Sequence, residues 1–65
     1  MSQEEVKQAL KVALQEHLNA SFEVLTKNLV NESPEVAAKQ FEANCRNALQ
    51  AYSIALTVID KVLGV

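Results

Sequence analysis

A single helix-breaking cluster, Asn31-Glu32-Ser33-Pro34, splits this chain into two stretches of about equal length. Pro34 is the only proline, and the only glycine is Gly64. With so few turn formers an all-β fold is excluded. Both stretches are instead rich in Gln, Glu, Lys, Ala and Leu, which favour helix. The spacing predicts one helix from about 3 to 30, a turn over 31–33 and a second helix from about 34 to 63, all within a single domain, residues 1–65. At 1.5 Å per residue each helix is roughly 40 Å long. A connection this short makes the helices antiparallel neighbours. The expected fold is therefore all-α, an antiparallel two-helix hairpin.

The helix ends carry their own signals. Ser2 is the expected N-cap of the first helix, and Glu5 three residues on completes a capping box. Ser33 caps the second, Pro34 fits the first helical position, and Glu35 complements the positive end of the dipole. Gly64 is the expected residue just beyond the second helix, with Lys61 in its last turn.

Length then limits what this hairpin can do alone. Chains below roughly 70–80 residues rarely make a self-sufficient core without a disulfide, a metal or a partner chain. This one has 65 residues, one cysteine, Cys45, and one histidine, His17. An internal disulfide and a Cys/His metal staple are both excluded. Yet the hydrophobic share is 49%, too high for a disordered chain. Oligomerisation is the remaining route.

The apolar pattern agrees. In the second helix Ala38, Phe41, Cys45, Ala48, Tyr52, Ala55, Ile59 and Val62 follow 3-4 spacing, the seam of a left-handed coiled coil. Leu49, Leu56 and Leu63 widen this seam on one side; Ala51, Ile54 and Val58 widen it on the other. In the first helix Leu10, Leu14, Leu18, Phe22, Leu25 and Leu29 form one ridge. Val6, Ala9, Ala13, Ala20 and Val24 form a second. A hairpin seals one ridge per helix, and the rest demand another surface, since soluble monomers avoid long apolar patches. A homodimer closing a four-helix bundle is the simplest solution. The pairs Ala13/Ala20 and Ala48/Ala55 are expected at the closest helix contacts, and Phe22 is expected to meet Phe41 near the turn.

Polar residues interrupt these faces. In a hairpin turning near Glu32, residues whose numbers sum to roughly 64 lie side by side. His17, Ser21 and Asn44 then form a polar layer midway along the bundle, with His17 near Asn47 and Ala48. Buried polar groups must be hydrogen-bonded, and one use of such a layer is to fix register and oligomer number. His17 has no Glu-x-x-His partner, because position 14 is Leu14, so the di-iron bundle motif is absent. Cys45 reads as a small seam residue, with no activating base in view.

Function is constrained mostly by exclusion. Six Lys+Arg against eight Asp+Glu leave a net charge of −2, which gives no broad electrostatic footprint for nucleic acid or anionic membrane. No stretch approaches the roughly 20 apolar residues of a membrane span. Met1-Ser2-Gln3-Glu4-Glu5 is acidic, opposite to a signal peptide. With a free cysteine, this points to a reducing cytoplasm. No catalytic constellation, cofactor motif or metal-ligand set is expected. The sequence therefore predicts a non-enzymatic interaction protein, a regulator, adaptor or chaperone that contacts its own copies and another protein. The alternative is a dimeric nucleic-acid-binding regulator using Lys39, Arg46 and Lys61. It is weakened by acidic neighbours at i,i+4 spacing (Glu35–Lys39, Glu42–Arg46) and by the lack of aromatic residues beside those cations to stack on bases.

Overall fold

The computed structural model describes residues 2–64 and contains two helices, α1 (Gln3–Asn31) and α2 (Pro34–Leu63), packed against each other as an antiparallel hairpin. Both start signals are used. The Glu5 N–H donates to Ser2 Oγ at 3.2 Å and the Ser2 N–H reaches Glu5 Oε1 at 3.5 Å, closing the capping box. The Val36 N–H donates to Ser33 Oγ at 3.3 Å, with Pro34 in the first turn of α2. The helix α1 runs through Asn31, and the Glu32 N–H donates to the Asn28 carbonyl at 2.8 Å before the backbone turns extended.

Gly64 ends α2 as expected, but in an extended conformation (φ −85°, ψ 129°), not a left-handed one. Its N–H bonds the Asp60 carbonyl at 2.9 Å. A Cβ at this position would lie 2.5 Å from that same oxygen. Glycine is needed here for close backbone approach, not for a positive φ.

The molecule is one layer thick, with Cα extents of 49 × 15 × 9 Å. A single seam runs down its middle. On α1 the seam is Leu10, Leu14, Leu18, Ser21, Leu25 and Asn28; on α2 it is Ala37, Phe41, Cys45, Ala48, Tyr52, Ala55 and Ile59. Of these only Ser21, Ala37 and Ala48 are buried, and among the described residues no large side chain is fully buried.

Two parts of the expected seam are corrected. On α1 the ridge through Leu18 continues not to Phe22 and Leu29 but to Ser21, Leu25 and Asn28, leaving Phe22 57% and Leu29 46% exposed. Rows of i+4 steps are inclined to the helix axis, so a seam that follows a neighbouring helix must step back by three. Phe41 is half-buried while Phe22 lies out on the flank, so any aromatic contact near the turn is not a buried one. On α2 the seam starts at Ala37, which is fully buried, while Ala38 is exposed; at the other end Val62 is 70% exposed. A strict heptad stripe drifts around a helix of 3.6 residues per turn, and over the length of α2 this carries both end positions out of the contact. Of the four alanines expected at the closest contacts, Ala48 is buried and Ala55 half-buried, whereas Ala13 and Ala20 are exposed.

Candidate protein-interaction surface

A single hairpin layer leaves two broad faces beside its seam. One of them is concave. Leu10, Ala13, Leu14 and His17 of α1, with Asn47, Ala48, Ala51, Tyr52 and Ala55 of α2, line a groove of about 280 Å³ at mid-length. Its breadth follows from the small residues Ala13, Ala51 and Ala55, which leave the space that longer side chains would fill. The opposite flank carries the heptad row Leu49, Leu56 and Leu63 of α2 and the pair Phe22 and Leu29 of α1. Leu49 and Leu63 are exposed and Leu56 is half-buried.

The residues expected to make interfaces divide between these places. Leu10, Leu14, Leu18, Leu25, Phe41, Tyr52, Ala55, Leu56 and Ile59 are half-buried and Ala48 is buried. Phe22 and Leu49 are exposed at 57% and 53%. The expected polar layer is not closed within one chain. Ser21 is buried, but His17 and Asn44 are exposed. His17 does come to the same groove as Asn47 and Ala48, and no buried side-chain N or O among the described residues lacks a hydrogen-bond partner.

The polar bonds that do tie the helices together sit nearer the ends. Asn28 Nδ2 donates to Gln40 Oε1 at 2.7 Å close to the turn. At the far end Asp60 Oδ1 accepts from Gln3 Nε2 at 2.7 Å and pairs with Lys7 Nζ at 3.0 Å. Sequence reading missed these three contacts. The antiparallel register was the available signal, because it already places Lys7 and Gln3 opposite the end of α2.

The outer face offers little chemistry. Arg46 Nη2 stands 3.6 Å from Glu42 Oε1, with both side chains mostly exposed. Glu35 and Lys39 do not form an ion pair among the described residues. Arg46 is thus partly neutralised, and Lys39 and Lys61 are exposed and dispersed along α2. Cys45 is a free, half-buried thiol in the seam. Among the described residues no cluster of three or more His, Cys, Asp or Glu is placed to hold a metal ion, and no helix is long and apolar enough to cross a membrane. No protein-family model, curated protein or solved structure matches the chain.

Proposed function

We propose that this chain is a non-enzymatic interaction protein that pairs with a second copy as a four-helix bundle and acts on another protein as a regulator, adaptor or chaperone. One observation carries the self-association. The accessible surface is 5049 Å², whereas a compact monomer of this mass exposes about 4,100 Å². The surplus, roughly 1,000 Å² per chain, compares with the ~800 Å² that each partner contributes to a standard interface. Much of the exposed surface is apolar, including Ile54 and Val58, each at least half exposed. Burying such area is the main source of stability in small helical assemblies. A reducing cytoplasmic setting fits the free thiol of Cys45.

The test is thermal unfolding followed by circular dichroism over a hundredfold range of chain concentration. A homodimer gives a midpoint that rises with concentration, because folding and association are one equilibrium. A midpoint independent of concentration contradicts self-association and leaves the apolar faces to a different partner. Nucleic-acid binding through Lys39, Arg46 and Lys61 is not favoured by any contact of those side chains.

A further inference from the structure

We infer that the two copies meet through the grooved face, with His17 and Asn47 of each chain enclosed at the centre of the bundle, and that the leucine-bearing flank stays outside. This rests on the self-association proposed above and adds which face is used.

The charge distribution separates the two faces. Beside the groove, α2 carries the rows Asn44-Ala51-Val58 and Gln40-Asn47-Ile54, and α1 carries Val6-Ala13-Ala20 and His17-Val24, each stepping by seven residues along one side. Formal charges enter these rows only at their outer ends, at Lys27 and Lys61. The other flank is different. Glu35 and Glu42 begin the row that continues as Leu49, Leu56 and Leu63, Lys11 lies in the row of Leu18 and Leu25, and the Lys7–Asp60 ion pair spans the helices there. Closing that flank would take these ions out of water, which costs more than unpaired apolar contact returns. A two-fold interface sets each face against its own copy, so the face whose formal charges stand only at its ends leaves fewer ions to desolvate at its centre.

Size and polarity agree with a second copy as the occupant. A face of 49 × 15 Å has a footprint of roughly 700 Å², near the ~800 Å² per partner of a stable dimer. His17 is the middle residue of α1, which runs Gln3–Asn31. A two-fold relating fully overlapped hairpins therefore brings His17 to the mid-level of the assembly. Neutral imidazole offers one donor and one acceptor and the Asn amide offers both. His17 and Asn47 can thus satisfy one another across the interface.

The experiment compares Ala51→Glu with Leu49→Glu by sedimentation velocity. The two positions are two residues apart on α2, both exposed in the single chain and on opposite sides of the seam. The expected result is that Ala51→Glu weakens the dimer by about a hundredfold or more, since it buries an unpaired carboxylate, while Leu49→Glu changes it less than about fivefold. A milder pair guards against misfolding. In a Cys45→Ala background, Ala51→Cys in the dimer should react with a maleimide at least about tenfold more slowly than Leu49→Cys, whose side chain stays on the outer flank. A wild-type dimer dissociated by Leu49→Glu and not by Ala51→Glu, or equal protection of both thiols, overturns the choice of face and leaves self-association standing. A wild-type chain that sediments as a monomer overturns both.

Discussion

Asn28 donates its side-chain amide to the Gln40 side-chain oxygen at 2.7 Å, so one neutral hydrogen bond fastens α1 to α2 close to the turn. Asn28 is half-buried and Gln40 exposed, so water competes for both groups. Asn28→Ala and Gln40→Ala should each cost about 0.5–1 kcal/mol, at the lower end for a neutral bond. A double-mutant cycle in urea should show that the second substitution adds little after the first. Full additivity would mean that the bond contributes nothing.

Asp60 does the same work at the open end, for two partners. Because the side chains of Lys7 and Asp60 are 37% and 57% exposed, the ion pair is screened and worth less than about 1 kcal/mol. Asp60→Asn removes the charge but keeps an acceptor for Gln3, whereas Asp60→Ala loses both. Asp60→Ala should therefore be the more destabilising, and only the ionic share of its effect should shrink in high salt. Urea midpoints at low and high ionic strength measure this. Equal losses for the two variants would assign no role to the Gln3 contact.

The register at the turn can be tested by size. Ala37 is fully buried and Ala38 exposed. Ala37→Leu should cost about 1–3 kcal/mol through overpacking, and Ala38→Leu less than about 0.5 kcal/mol. Chemical denaturation of both variants decides it. The reverse order would place Ala38 in the seam, as an unbroken heptad stripe implies.

That contrast marks where sequence reading stops. The two helices, their caps and the turn at Ser33-Pro34 are local chemistry, legible from residue types and spacing alone. The middle of the seam, from Phe41 to Ile59, was legible from 3-4 periodicity. Its ends were not. Whether Ala37 or Ala38 packs inward depends on how far the stripe drifts around the helix before meeting its neighbour, and the sequence contains no signal for that angle. Phe22 was misplaced for the same reason, since following i+4 steps carries a ridge off the contact line. Of the expected His17–Ser21–Asn44 layer, Ser21 is buried while His17 and Asn44 are exposed in the single hairpin.

Asn44 supplies a prediction about specificity. It is exposed in the single hairpin and flanks the groove, where a polar side chain limits which pairings are satisfied. Asn44→Leu should stay helical but populate more than one oligomer in native mass spectrometry. A single dimer of unchanged stability would remove any specifying role from this residue.

If one hairpin layer is half of the proposed bundle, light scattering across a dilution series, with helicity followed on the same samples, should find a particle of twice the 7.1 kDa chain mass. Mass and helicity should fall together at high dilution. A chain that stays at 7.1 kDa and fully helical at every concentration would contradict it, because the exposed apolar faces would then be stable in water without a second copy.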